Sequence, residues 1–216
     1  ASMWAGQGIV GVAKWIGRRF LNGLAWAGRM IAKLLDLVGF GEIMDLIFNI
    51  VKFNTRTLTS TERQEAQKVF QGSVSLGQVR IDEASLIAAI GSFFSGGGGM
   101  GVTLFHTINF NKKINAAPGN NDMAWLIHEL THVSQYEHVG SQYIGEAVHS
   151  QATVGYSYGK GAGLAGKDFK DFNREQQGDI IKHYYYYILC GNHDPDYSNY
   201  ATDYNRMIAQ ARNGQF

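Results

Sequence analysis

The pattern of apolar and polar positions predicts a mainly helical chain with a small sheet. Apolar residues recur every three or four positions over residues 9–27 and form an inner face over residues 122–138, which is typical of helices that bury one face. Two segments, 78–82 and 102–110, show the alternation or the β-branched and aromatic enrichment of strands. Helices are predicted after the capping sequence at Thr59 as far as Phe70, and over residues 122–138, 143–156, 172–189 and 197–212. The predicted fold class is therefore α+β, mainly helical.

Residues 1–52 differ from the remainder and are predicted to form a separate N-terminal basic amphipathic helical segment. They are rich in Trp, Ile, Leu, Ala and Gly, and every charge before Asp36 is positive. Two interpretations remain open: a helical hairpin packed on the main domain, or a surface within residues 1–35 for a membrane or a delivery partner. The positive charges are scattered, so no classical signal peptide is expected. The five basic residues are Lys14, Arg18, Arg19, Arg29 and Lys33.

Composition narrows the class of protein only slightly. With 45% apolar and 17% charged residues the chain is globular, and its 216 residues are enough for one ample core or two small ones. The net charge of +1 gives no reason to expect a nucleic-acid partner. The lone cysteine, Cys190, excludes an intramolecular disulfide.

The chemistry of the chain is concentrated in the helix predicted at 122–138. His128 and His132 are four residues apart and so share one face, which lets both imidazoles reach a single Zn²⁺. Glu129 follows the first histidine and is placed to accept a proton from water without binding the ion. The pattern is short enough to arise by chance, but the capped amphipathic helix and the strand before it favour a zinc site.

Catalytic zinc generally takes three protein ligands, so a third is required. Glu175, near the start of a later predicted helix, is the first candidate. Asp179 lies one turn beyond it and is predicted to hydrogen-bond a zinc-bound histidine from behind. Glu146 and His149 are the alternative ligands.

These residues resemble a known clan of enzymes. His128-Glu129-Leu130-Thr131-His132, followed by Glu175-x-x-x-Asp179, is similar to the gluzincin arrangement of thermolysin-like peptidases. A closer likeness, over residues 55–190, is to the zinc metallopeptidase domain found beside bacterial secretion-system spike, Rhs and contractile-injection proteins. It rests on the metal helix with Gln135-Tyr136 and, in order before it, on Leu58-Thr59 with Glu62, Val69-Phe70-Gln71-Gly72-Ser73 and Val79-Arg80-Ile81.

The resemblance implies a zincin-like metallopeptidase domain at residues 53–216. It also implies a bacterial origin and a secreted effector or toxin, made in the cytoplasm and exported by a specialised system, with a protein or peptide substrate and a secretion-apparatus or immunity protein as partner. If it holds, the strand at 102–110 is the edge of the sheet above the cleft, where an extended peptide adds as a further strand.

Three functions remain open from the sequence. The first is a zinc peptidase in which Glu129 is the general base and a nearby donor steadies the oxyanion. The second is a non-catalytic zincin-fold module of a secretion apparatus, and the third is a membrane-active protein acting through its N-terminal helices. The candidate oxyanion donors are Tyr156, Tyr158, His149 and His183.

Overall fold

The computed structural model describes residues 55–83, 85, 101–143, 146 and 156–216, together with positions 30, 33, 34, 36, 37, 39, 41 and 43. Within this part of the chain the fold is α+β and mainly helical, as the sequence predicts. The strands are β1 (Thr55–Arg56), β2 (Arg80–Asp82), β3 (Gly101–Leu104) and β4 (Thr107–Phe110). The α-helices are α1 (Ser60–Phe70), α2 (Asn121–Val139), α3 (Arg174–His183), α4 (Pro195–Ser198) and α5 (Ala201–Arg212).

The four strands form one mixed sheet in the order β1-β2-β4-β3. β2 and β4 are parallel, and the two outer pairings are antiparallel. All four residues of β4 are buried, because this strand lies inside the sheet and under α2. β3 lies at the end of the sheet formed by the described residues, beside α2. The strand predicted at 78–82 is confirmed as the shorter β2.

The single strand predicted over 102–110 is wrong, because the chain reverses at Phe105 and His106 to form the β3–β4 hairpin. Phe105 has a φ of 56°, in a region that favours glycine. Because the turn contains no glycine, asparagine or aspartate, the local sequence does not predict it. Its ring is buried edge-on against Tyr136, with 5.3 Å between ring centroids. The turn is also held by Tyr143, whose hydroxyl donates to the Thr103 carbonyl at 2.9 Å and accepts from the Phe105 N–H at 3.1 Å.

Helix α1 begins where its capping residues predict. The Thr59 hydroxyl accepts the Glu62 N–H, and the Glu62 carboxylate accepts the Thr59 N–H in return, at 3.2 and 2.7 Å. The Arg56 guanidinium donates two further bonds to Glu62, at 2.7 and 2.9 Å. This arrangement fixes β1 to the start of α1.

Helix α2 runs through the middle of the domain, with β3 and β4 on one side and α3 on the other. The Asn120 side chain accepts the Met123 N–H at 2.8 Å and caps the helix, which begins one residue before the predicted start at 122. Because α2 is covered on several sides, all residues from Leu126 to Tyr136 are buried, including the polar ones. The core between these elements includes Ile81, Ile108, Phe110, Leu126, Ile127, Leu130, Ile180, Ile181, Tyr204 and Met207.

The helix predicted over 172–189 begins two residues later, at Arg174, and reaches Leu189, but it changes type on the way. After α3 ends at His183, the next residues, Tyr184–Leu189, form a π-helix. The closing helix predicted at 197–212 is two helices, because Asp194 and Pro195 begin the short α4 before α5 starts at Ala201. The helix predicted at 143–156 lies largely outside the described residues, although 142, 143 and 146 are helical.

Part of the N-terminal segment contacts the C-terminal end of α2. The Asp36 carboxylate accepts the Ser141 N–H through both oxygens, at 3.1 and 2.9 Å. Gly41 is buried against the Tyr136 ring, where a side chain would not fit. The domain division at residue 52 stays a prediction, because positions 44–54 lie outside the described residues. No helix in the described part of the chain is long and apolar enough to span a membrane.

Candidate metal centre

Three buried side chains from two helices bring one donor atom each to a common point. His128 and His132 lie one turn apart on α2, and Glu175 lies in the first turn of α3. The two Nε2 atoms are 3.2 Å apart, and the Glu175 Oε2 is 3.4 Å from the first and 3.6 Å from the second. Among the described residues this is the one group with the composition and spacing of a metal site. The structure therefore brings together the three ligands that the sequence proposes.

These separations fit a tetrahedral zinc ion. Two donors bound at roughly 2.0–2.1 Å to such an ion lie about 3.3 Å apart, and the three observed distances bracket that value. Two imidazoles and a carboxylate are also a donor set typical of catalytic zinc, which keeps one position open. The residues present thus fit Zn²⁺ in both chemistry and spacing.

Asp179 orients His128 by contacting the ring nitrogen that does not face the ligand cluster. Its Nδ1 lies 3.1 Å from the Asp179 Oδ1, so Nδ1 carries the hydrogen and Nε2 presents its lone pair to the ligand cluster. The Lys182 ammonium donates to the same Asp179 oxygen at 2.5 Å. Asp179 therefore occupies the supporting position that the sequence proposes for it.

The backbone of Gly178 packs against the His128 ring. This contact was not predicted from the sequence. A Cβ at this position would lie 2.6 Å from the His128 Cε1, closer than side chains pack. The backbone of α3 can approach the imidazole only because residue 178 has no side chain. The signal in the sequence is weak: a single glycine between Glu175 and Asp179 in a predicted helix, where glycine is unfavourable.

His132 has a supporting partner of its own, Gln135, which sequence reasoning also missed. The Gln135 Oε1 lies 2.8 Å from the His132 Nδ1. Its amide nitrogen donates to the Arg174 carbonyl at 3.0 Å and to the Gln177 Oε1 at 2.9 Å, which fixes the orientation of the amide. Nδ1 of His132 therefore carries the hydrogen, as in His128. Gln135 follows His132 by three residues, which places both side chains on one helix face. That spacing was the signal in the sequence for this contact.

The alternative ligands are not part of this cluster in the described residues. Glu146 is engaged by Arg174, whose Nε donates to it at 2.8 Å and whose terminal nitrogen lies 2.7 Å away. His149 lies outside the described residues. His138, at the end of α2, is exposed and bonds the Ser134 carbonyl through Nδ1 at 2.8 Å.

The electrostatics of the cluster favour a bound cation. Burial lowers the pKa of His128, but the hydrogen bonds to Asp179 and Glu175 outweigh it and raise that pKa to about 9. Burial likewise opposes the rise in the pKa of His132 that the Glu175 charge produces. Burial would raise the pKa of Glu175, but the two histidines hold it well below its usual range. The carboxylates that favour a proton on the two histidines favour a metal cation at the same point, where the cation would replace that proton.

Glu129 stands beside this cluster and not within it. It is only 2% exposed, and its Oε2 accepts the Thr103 hydroxyl at 2.7 Å. Its other oxygen faces Gly101, where a Cβ would come within 2.8 Å. Strand β3 thus approaches α2 closely at Gly101 and orients the carboxylate through Thr103. Neither β3 residue was proposed from the sequence.

Of the candidate oxyanion donors in the described residues, Tyr156 lies at the cluster. Its ring centroid is 5.9 Å from that of His128, and its hydroxyl hydrogen-bonds Glu175. Burial, followed by the charges of Glu175 and Glu129, raises the pKa of Tyr156, so the hydroxyl keeps its proton. The Tyr158 hydroxyl bonds instead to the Nδ1 of His183, at 2.7 Å, and to the Tyr204 hydroxyl.

Comparison of the chain with known protein families, with curated proteins and with solved structures finds no match.

Proposed function

We propose that the chain is a zinc-dependent peptidase with a zincin-like catalytic domain. The observation that carries the proposal is the position of Glu129, which lies next to a complete three-donor cluster and is held by Thr103 without joining that cluster. A zinc ion with a purely structural role has no use for a further buried carboxylate that stands beside its three ligands without binding it. A hydrolytic site needs one, because water must lose a proton as it attacks.

In this proposal His128, His132 and Glu175 hold the ion. Zinc supplies a Lewis acid that polarises the scissile carbonyl and lowers the pKa of water. Glu129 accepts the proton of the attacking water and returns it to the leaving amine, so the peptide bond is exchanged for a carboxylate and an amine. Thr103 keeps one carboxylate oxygen occupied and leaves the other to exchange the proton.

Tyr156 is the proposed oxyanion donor. Its hydroxyl stays protonated at neutral pH because burial and the surrounding carboxylates disfavour the phenolate. A protonated phenol beside the ligand cluster can donate to the negative oxygen that develops on the substrate carbonyl. Tyr158 does not suit this role, since its hydroxyl bonds His183 and Tyr204, neither of which is a ligand of the cluster.

The position of β3 supports a peptide as the substrate. Strand β3 ends the described sheet and lies directly beside Glu129. An extended peptide pairing with a sheet edge gains main-chain hydrogen bonds whatever its sequence. Such a strand would run past the proposed general base, which suits the cleavage of an extended chain.

The proposal is tested by zinc content and by hydrolysis of an unstructured protein such as casein, for the wild type and two Glu→Gln variants. We expect about one zinc per chain in all three proteins. Glu129→Gln should keep the metal and lose turnover by at least about a hundredfold. Glu65→Gln is the matched control, because Glu65 is also buried but contacts Lys68 and Tyr185 away from the cluster.

The outcomes separate the competing functions. Zinc retention with equal cleavage by Glu129→Gln and wild type would refute the role of Glu129. Zinc binding with no hydrolysis by any of the three proteins would favour the non-catalytic zincin-like module. Wild type that takes up no zinc would refute the metal site itself.

A further inference from the structure

A strip of apolar side chains near the N-terminus faces solvent. Met30, Leu34 and Leu37 are helical, and their spacing of four and three residues places them on one helix face. They are 43%, 60% and 82% exposed. Ile43, a few residues further on, is 51% exposed. Exposed apolar side chains that line up on one face are typical of a surface that binds something.

The orientation of this strip is set by contacts on its other side. The Asp36 carboxylate accepts the Ser141 N–H through both oxygens, and Gly140 approaches Asp36 so closely that a Cβ would clash with it. Gly41 is packed against the Tyr136 ring. Because these residues hold the segment against the end of α2, Leu34 and Leu37 point away from the domain.

The sequence around the strip indicates the chemistry of its partner. Five basic residues and no acidic residue precede Asp36, and the last of the five, Lys33, is exposed beside Leu34. Three of the four tryptophans in the chain also precede Met30, namely Trp4, Trp15 and Trp26. Tryptophan is enriched where proteins meet the interface of a bilayer, and basic residues are attracted to anionic headgroups.

We propose that this N-terminal face, Met30, Lys33, Leu34 and Leu37, binds an anionic lipid surface and lies in the plane of the interface. The apolar strip enters the headgroup region, and Lys33 beside it pairs with a lipid phosphate. A second copy of the chain fits the face less well, because a symmetric contact would bring two cationic segments together. Binding by this face is independent of the peptidase proposal.

The test is co-flotation of the full-length protein with vesicles of phosphatidylcholine alone or with a quarter phosphatidylglycerol. Leu37→Glu places a negative charge on the strip at a side chain that is 82% exposed, so the fold should tolerate it. Leu189→Glu is the matched control, since Leu189 is also exposed, at 39%, but lies on the π-helix. Circular dichroism of each variant checks that it remains folded.

We expect the wild type and Leu189→Glu to float with the anionic vesicles, and salt to weaken their binding. Leu37→Glu should reduce the partition coefficient by at least about tenfold. The proposal is overturned if the wild type does not prefer anionic vesicles, or if the two variants float equally. A wild-type dimer that Leu37→Glu dissociates, without lipid binding, would assign the face to self-association and also overturn it.

Discussion

Gly178→Ala should disable the metal site through a single methyl group. The new Cβ would lie 2.6 Å from the His128 Cε1 and 2.9 Å from each ring nitrogen. Carbon atoms in contact normally stay about 3.5–4.0 Å apart, so the imidazole or the helix must move by about 1 Å. Metal–ligand distances tolerate a change of only about 0.2 Å. His128 would therefore lose its place in the cluster with His132 and Glu175.

We expect the affinity for zinc to fall by about a hundredfold, which is the upper end for changes that reorient a ligand. The metal-free fold should change less. Overpacking costs about 1–3 kcal/mol, and replacing glycine by alanine inside a helix returns about 1 kcal/mol. Gly178→Ala should thus give a folded protein that binds zinc weakly. This outcome differs from an overall loss of structure, in which the metal-free protein would no longer unfold cooperatively.

The measurement is competition for zinc against a chromophoric chelator, with urea unfolding of the metal-free protein in parallel. Gly77→Ala is the matched control, because a Cβ there meets nothing within 4 Å. The reasoning is refuted if the Gly178→Ala protein unfolds cooperatively and binds zinc as tightly as the Gly77→Ala protein.

Three further substitutions test other contacts. Gln135→Leu removes the acceptor on the Nδ1 of His132, and chelator competition should show about a 10–100-fold loss of zinc affinity; unchanged affinity would show that the amide is dispensable. Thr103→Val frees the Glu129 carboxylate and should lower kcat about tenfold or more with zinc content unchanged; an unaltered kcat would exclude a positioning role. Glu62→Gln should cost about 1–2 kcal/mol at pH 7, as measured by urea unfolding at several pH values. Burial would raise the pKa of Glu62, but its hydrogen bonds lower it below the model-peptide value of 4.5. The wild-type advantage should therefore shrink as the pH falls below that value, and a difference that is constant with pH would contradict this account.

Elements with local signals were predictable from the sequence. The start of α1 follows from Thr59 and Glu62, because a capping box is formed by residues three positions apart. The zinc ligands on α2 follow from the spacing of four residues between His128 and His132. Glu175 was proposed from its helical context and the resemblance, and the structure places it within 3.6 Å of both histidine nitrogens.

Features that depend on tertiary contacts were missed. The hairpin turn at Phe105 is imposed by burial of its ring against Tyr136, and no glycine or asparagine marks it in the sequence. Gly178 and Thr103 act on side chains far away in the chain, His128 and Glu129, so their roles appear only when α3 and β3 are packed on α2. The π-helix after α3 likewise has no recognised sequence signal.

The hydroxyl of Tyr143 occupies the main-chain hydrogen-bonding groups at the C-terminal end of β3, on its outer edge. It donates to the Thr103 carbonyl and accepts from the Phe105 N–H, and so makes the two hydrogen bonds that one residue of an added strand would make. Exposed strand edges invite pairing with other chains and lead to aggregation. A tyrosine from the region after α2 thus protects the hairpin tip, and any strand that adds at this point must first displace it.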